Sequence, residues 1–595
     1  MQSLPIPKLD QTLQRFMGGI SPLLSPQQRD ATAAAAQAFQ NQGGPILQQR
    51  LQAYAQTQEN QGLSWLTELK LAEYLQDTRP HAITNNASLQ INYQTAHTGI
   101  KRAVSLIYRL AWLHLDYIND NIEPPIDPRG QPISMYNWRL LTGAIREPSA
   151  DKAVQDSYYY APKQAANRSM SLFWQGHHFT LPLTDNTGKL ISAAQIEAIL
   201  ELIINADYEK PVIDFTEVSA LGSVKVASYL NQLCQQPHNK QAYQAVKDSL
   251  FCLSLYRSGA DDVTQIQQQT FMPGHAWQLK PNTYQMDLDS DFLAIHFEHS
   301  EIDGAALQHM FNYAFGLVDA APEALKSHIN FDDDSHSSEK SVSEAQRLDW
   351  QCDDESLLLQ IQQDIEDIRQ RAQQIKVQRS LADYSGLQGK VSHDALMQFA
   401  LLYAQLKTFG QVRNTYEAVD TSHFMAGRTE GLRPNSEQAI ALVQELLDDD
   451  NKDSNNAKPT TDMDLLQQAL DAHKQRVIAC KTGQAFDRHL SGLKYMMTDA
   501  DANDSSMAEF FNSPGYKTLT GGDFLSTSSM GTQSPVRRIL FAPVMAGGFG
   551  VNYSLDDSHY EFVLFADQDS SPYLEQMCDA CVEAIAKLVA LTQQA

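Results

Sequence analysis

The apolar positions along this chain change period several times, and each change marks an element. Between Phe292 and Phe297, Leu293, Ile295 and Phe297 alternate with their neighbours, the period of a strand with one face in a core. From Ala306 the apolar residues Leu307, Met310, Phe311, Ala314 and Phe315 fall at helical spacing. A short polar turn, His299 to Gly304, separates the two. Parity puts His299 on the face of Leu293, Ile295 and Phe297, so its imidazole is expected at a strand end, partly out of water. Asp303 is a good N-cap for the helix and Gly304 eases the turn, which accounts for both without any chemistry.

Residues 4 to 78 read as helices, with Ser25-Pro26 as an N-cap followed by proline at the first helical position. Ala96 to Asn119 reads as another. Short strands then take over at Ser171–Trp174 and His178–Leu183, followed by a helix from Ala193 to Asn205. His177 and His178 are strand neighbours that point to opposite faces, which disfavours a shared metal ion. Further helices are predicted at Asp354–Gln374, at Leu396–Thr408, and from Met463 to Met497. A last amphipathic helix, Leu574–Leu591, makes Cys578 and Cys581 small core residues rather than a metal or redox pair. Two polar stretches, Ser327–Ala345 and Asp448–Thr461, interrupt this pattern, the first read as a crossover between halves.

At 595 residues the chain is too long for one core and implies two large domains. A net charge of −26 argues against nucleic acid and anionic membranes as partners, and any anionic cofactor needs a local basic patch. No run of eighteen apolar residues occurs, so no membrane span is expected. Neither end carries a targeting signal, which makes the cytoplasm the expected compartment, and the scattered cysteines fit a reducing one.

A histidine with an acid four residues on can take a proton from a hydroxyl or thiol during acyl transfer. Glu298-His299-Ser300-x-x-Asp303-Gly304 is followed in order by Thr415-Tyr416-Glu417, Gly427-Arg428-Thr429-Glu430 with Arg433, and Phe486-Asp-Arg488-His-Leu-x-Gly-Leu-Lys494. Leu525-Ser526-Thr527-Ser528, Phe541-x-Pro543-Val544 and Gly548-Phe-Gly550-Val-x-Tyr553 complete the series. Together these strings resemble the choline/carnitine O-acyltransferase family. The bare His-x-x-x-Asp-Gly pattern is shared more widely by CoA-dependent acyltransferases. The chain departs from the family at Lys210–Ser219, where an Arg and a Trp are missing, at Gly386 for a lysine, and at Ser529 for a glutamine.

The resemblance implies an α/β fold of the two-domain, chloramphenicol acetyltransferase-like kind, with mixed sheets flanked by helices and an active-site tunnel at the domain interface. Residues 1–60 would be helices packing with the C-terminal half, 61–345 the domain carrying the catalytic histidine, and 346–595 the domain contacting carnitine and CoA. The implied reaction is reversible transfer of a short acyl group between CoA and the 3-hydroxyl of carnitine, through a ternary complex. His299 would be the general base, Asp303 its support, and Ser528 an oxyanion donor. Tyr416, Thr429, Arg488, Ser526 and Phe541 would contact the substrate. Carnitine has a carboxylate that choline lacks, and Arg488 can give it a charge-assisted hydrogen bond. Lys390, Asp394 and Lys474 would contact CoA, and Ile539 would close the acyl pocket. CoA or acyl-CoA is a co-substrate; no permanently bound cofactor and no metal are expected, and a monomer is. The rivals are acylation of choline or another amino alcohol, and a carnitine- and CoA-binding protein that has lost turnover. If the helix from Met463 runs unbroken through Gly483, Lys474 and Arg488 share one face about 21 Å apart.

Overall fold

In a computed structural model that describes residues 1–127, 129–163, 168–327, 344–448, 463–531 and 535–593, two mixed sheets carry the chain. Most of the two polar stretches, residues 328–343 and 449–462, lies outside the described residues. The larger sheet has eight strands in the order Val536–Phe541, Ala87–Ile91, Leu293–Phe297, Thr283–Asp287, Cys252–Tyr256, Ser169–Trp174, His177–Pro182 and Gln346–Arg347. Its central strands are buried on both faces. Leu293, Ile295 and Phe297 enter one core with the helices Gly99–Ile118 and Ala193–Ile204, while Phe292 and Ala294 enter another with Ile266 and Phe271. The strand–turn–helix read from the sequence is therefore present, with the helix spanning Gly304–Ala314.

The edge strand of this sheet comes from the far end of the chain. Val536–Phe541 pairs antiparallel with Ala87–Ile91, setting Ile539 opposite Leu89. The smaller sheet runs Lys376–Asp383, His559–Ala566, Phe549–Leu555, Leu525–Ser528, Thr415–Asp420 and Thr429–Leu432. Helices His393–Phe409 and Leu574–Thr592 cover it, and Cys578 and Cys581 are free thiols inside that core, where burial pushes the Cys578 thiol up to about 12. The helices Leu9–Ile20, Pro26–Asn41 and Gly43–Glu59 bury Phe16, Phe39 and Leu47 against Phe486, Leu490 and Phe510 of the C-terminal half. A capping box at Ser25 and Gln28 starts the second of them.

One helix expected from the sequence is two. Met463–Lys481 stops, and Asp487–Tyr495 follows after a turn. Gly483 sits at φ +64, its N–H reaching the Cys480 carbonyl and the Gln484 N–H the Ala479 carbonyl, which is a Schellman motif. The straight-helix separation of Lys474 and Arg488 does not apply. His177 bonds to Asp349 and the Glu209 carbonyl while His178 bonds to Ser171, so these neighbours have separate structural partners.

Candidate active site

The Leu293–Phe297 strand delivers His299 to a cavity of about 1180 Å³ whose walls come from both sheets, with Glu298 and Ser300 buried on either side of it in the chain. The turn is fixed from beneath by fully buried Arg146. Its Nη1 donates to Glu298 Oε1 and to Ser300 Oγ, each at 3.1 Å, and its Nε to Asp156 Oδ2 at 2.7 Å. Both neighbours of His299 thus belong to a buried ion network in which the charges are paired, the condition under which such groups survive desolvation. Arg428, also buried, holds the turn from the other side. It donates to both oxygens of Asp303 at 2.8 and 3.2 Å, to the His299 carbonyl at 3.1 Å, and to the Ser300 carbonyl.

His299 Nδ1 lies 2.6 Å from the Ile302 carbonyl oxygen. A carbonyl only accepts, so Nδ1 carries the proton and Nε2 keeps its lone pair. The ring lines the cavity, and Nε2 has no protein hydrogen bond among the described residues. Burial holds the imidazole below its ordinary pKa, the Asp303 carboxylate opposes that, and Arg428 adds to it. Asp303 departs from its expected place. At 3.8 Å from Nδ1 it is too far to hold the ring by a hydrogen bond, and its side chain makes no cap bond to the helix it precedes. The fork of Arg428 takes both carboxylate oxygens, a stronger pairing than either alternative.

The second sheet supplies the opposite wall. Leu525–Ser528 lies parallel to Thr415–Asp420 and to Phe549–Leu555, with Tyr416 level with Ser526. Ser526, Ser528, Tyr416, Thr429, Phe541 and Ile539 all line the cavity. Thr527 donates its hydroxyl to the Tyr416 carbonyl at 2.9 Å, whereas the hydroxyls of Ser526, Ser528 and Thr429 have no protein partner among the described residues. Arg488 stands behind this wall rather than in it. Its Nη2 donates to the Tyr416 hydroxyl at 2.7 Å and its Nε to the Thr429 carbonyl at 3.3 Å, because the turn at Gly483 redirects the helix that carries it. Beside it, burial pushes the Glu430 carboxyl up to about 7 despite the Arg488 charge.

Lys390, Asp394 and Lys474 line the same cavity. Asp394 already has partners: His473 Nε2 at 2.7 Å and the Tyr553 hydroxyl at 2.8 Å. Tyr553 also bonds to Glu417, and a hydroxyl has one proton to give. Burial, then the nearby Asp394 charge, push the Glu417 carboxyl far up, and the Tyr553 hydroxyl stands between the two carboxyl groups. Near the histidine turn, a Cβ placed on Gly304 would lie 3.0 Å from Met530 Sδ, a tight approach, and 3.7 Å from Ile539 Cδ1, an ordinary contact.

Arg146, Arg428, Tyr74 and Met530 were not singled out as site residues by sequence reasoning. The Tyr74 ring lies tilted beside that of His299, 5.5 Å between centroids, and 5.3 Å from the Arg428 guanidinium. Arg428 carried a signal, its place in the Gly427–Glu430 string. Arg146 carried none, since its partners lie 10, 152 and 154 residues away.

A histidine with one ring nitrogen unbonded and several unpartnered hydroxyls thus share one cavity between two mixed sheets. The family model for Choline/Carnitine o-acyltransferase matches residues 4–580, and the chain belongs to that family. Members use CoA or acyl-CoA as co-substrate. Among similar relatives, the mitochondrial carnitine O-palmitoyltransferase 2 of Bos taurus is 25% identical over 93% of this chain and 86% of its own. Human carnitine O-acetyltransferase is 24% identical over 95% of this chain and 88% of its own. Among solved structures, trichothecene 15-O-acetyltransferase from Fusarium sporotrichioides aligns over 87% of this chain and 93% of its own, with 10% identity and a TM-score of 0.41. Among the described residues no helix is long and apolar enough to cross a membrane.

Proposed function

We propose that the protein transfers a short acyl group reversibly between CoA and the 3-hydroxyl of carnitine. One observation carries this reading: the Nδ1–H of His299 is committed to the Ile302 carbonyl, leaving the Nε2 lone pair in a cavity shared with Ser526, Ser528, Tyr416 and Thr429. Nε2 takes the carnitine hydroxyl proton as that oxygen attacks the thioester carbonyl, and returns it to the departing CoA sulfur. The Ser528 hydroxyl donates to the oxyanion of the tetrahedral intermediate, assisted by the substrate's trimethylammonium group. Thr429 and Tyr416 present hydroxyls to the carnitine carboxylate, and Arg488 supplies charge through Tyr416, on which its guanidinium donates. Lys390 and Lys474 hold the nucleotide end of CoA.

The preference for a short chain rests on the bulk of Ile539, which lines the cavity with Met530 near Gly304. Thiol release should be measured with acetyl-, octanoyl- and palmitoyl-CoA against carnitine and choline. Acetyl-CoA with carnitine is expected to be the fastest pair, and His299→Ala to lower its kcat/KM by about 10²–10⁴-fold. Faster palmitoyl transfer would overturn the chain-length assignment, faster choline acylation the substrate, and full activity of the alanine variant the mechanism.

A further inference from the structure

Tyr416, Ala418 and Asp420 share one face of the strand Thr415–Asp420, and all three line the cavity. The antiparallel neighbour Thr429–Leu432 sets Thr429 opposite Asp420 and Gly431 opposite Ala418. Directly opposite residues of such a pair point to the same side, with their Cβ atoms about 5 Å apart. The Asp420 carboxyl group therefore stands beside the Thr429 hydroxyl. Tyr416 reaches toward the same place. A Cβ on Gly431 would lie 3.0 Å from Tyr416 Cε2, so the ring lies across that glycine, and Arg488 bonds to both the Tyr416 hydroxyl and the Thr429 carbonyl.

Asp420 has an ordinary structural use. Its Oδ1 accepts the Ser422 N–H at 3.1 Å and its Oδ2 the Ser422 hydroxyl at 2.9 Å, which shapes the turn after the strand. An asparagine would shape that turn equally well, so the turn does not account for the charge. No lysine or arginine comes within ion-pair distance of Asp420 among the described residues. Burial lifts its carboxyl above the ordinary range, while the bonds from Ser422 and the nearness of His309 and His423 draw it back. His423 is engaged elsewhere, its Nε2 lying 2.8 Å from the Lys481 carbonyl. His309, from the helix Gly304–Ala314, lines the cavity with Asp420.

We propose that Asp420 is a specificity-determining residue that weakens the binding of an amino alcohol carrying a carboxylate and spares one without it. This rests on the reading of Thr429 and Tyr416 as the contacts for the carnitine carboxylate. A carboxylate accepting from the Thr429 hydroxyl lies next to a second carboxylate across the strand pair, and like charges so placed oppose each other. Arg488, acting through Tyr416, still draws carnitine in; Asp420 narrows the margin by which carnitine is preferred to choline.

Thiol release from acetyl-CoA at mildly alkaline pH tests this by a gain, which damage to the cavity wall would not produce. Asp420→Asn keeps the shape and the acceptor for Ser422 and removes the charge. It is expected to lower KM for carnitine about three- to ten-fold, the effect of two like charges some 6 Å apart in a partly hydrated cavity. Asp420→Ser, which removes the charge with a different side chain, should also lower it, while kcat/KM for choline should rise in neither variant. Asp420→Glu, which keeps the charge, should leave KM for carnitine at or above its starting value. A KM for carnitine that falls in neither neutral variant overturns the proposal. So does an equal gain for choline, which would mean that the change opens the cavity to any substrate. No CoA release by the wild-type chain with carnitine would overturn the underlying substrate reading and the proposal with it, a result distinct from failure of the variants alone.

Discussion

His299 owes its poise to groups that do not touch the substrate. The Ile302 carbonyl selects the tautomer, and burial, the largest influence, keeps the ring neutral to lower pH than a free imidazole. The base form is thus present on the alkaline side of a depressed pKa. The kcat/KM for carnitine acylation should rise with pH and level off at an apparent value below that of free imidazole. Asp303→Asn removes the carboxylate that raises the His299 pKa and leaves the Arg428 charge that lowers it, so the plateau should extend to still more acid pH. The same change takes the charged partner from buried Arg428 and should cost about 3 kcal/mol in urea unfolding. A shift of the profile toward alkaline pH in this variant would contradict the assignment of charges around the ring.

At the scale of elements, the corner at Gly483 decides where two expected ligand contacts sit. Lys474 precedes it and Arg488 follows it. A Cβ on Gly483 would lie 2.8 Å from both Cγ and Cδ of Pro5 and 3.2 Å from Leu4 Cδ1, at a φ of +64 that side chains rarely adopt. Gly483→Ala should therefore cost about 1–3 kcal/mol by chemical denaturation. It should also raise KM for carnitine more than KM for acetyl-CoA, since only Arg488 lies beyond the turn. Equal increases would mean the corner serves stability alone. Its stop signal was legible: a basic residue in the last turn and glycine two positions on. Continued amphipathic spacing past Gly483 masked it, because the second helix buries Leu490 and Leu493 in a core of its own with the N-terminal helices. The strand ending at Phe297 was legible because its period-two pattern survives within a few residues. What local pattern could not reveal was pairing across the chain, such as Arg146 with Glu298 or Arg428 with Asp303, where neither partner changes the periodicity around it.

Across the whole molecule, Val536–Phe541 binds the halves into one folding unit. It leaves the smaller sheet to pair with Ala87–Ile91, yet its Arg538 reaches back. Arg538 Nε lies 2.7 Å from Glu561 Oε2 and Nη2 2.8 Å from Glu561 Oε1, on a strand of the smaller sheet, while Nη1 donates to Gln90 in the larger one at 2.6 Å. At 1% exposure this guanidinium is a buried tie between sheets, and removing one partner of such a pair costs about 3–5 kcal/mol. Glu561 retains a second partner, Arg379, whose side chain is 36% exposed, so Arg538→Ala should fall at the lower end of that range. Arg379→Ala should cost well under half as much, because a partly solvated pair contributes little. Because the larger sheet is completed by a strand from the C-terminal half, calorimetry of Arg538→Ala should show a single transition at lower Tm. Two separated transitions would mean that the halves hold together by the tunnel walls alone. Pairing Arg538→Met with Glu561→Gln should recover part of the lost stability, since no buried charge is then left unpaired at the crossing and the Arg379 it releases is partly solvated. Failure of that double variant to recover any would show that the Gln90 contact, rather than the ion pair, carries the tie.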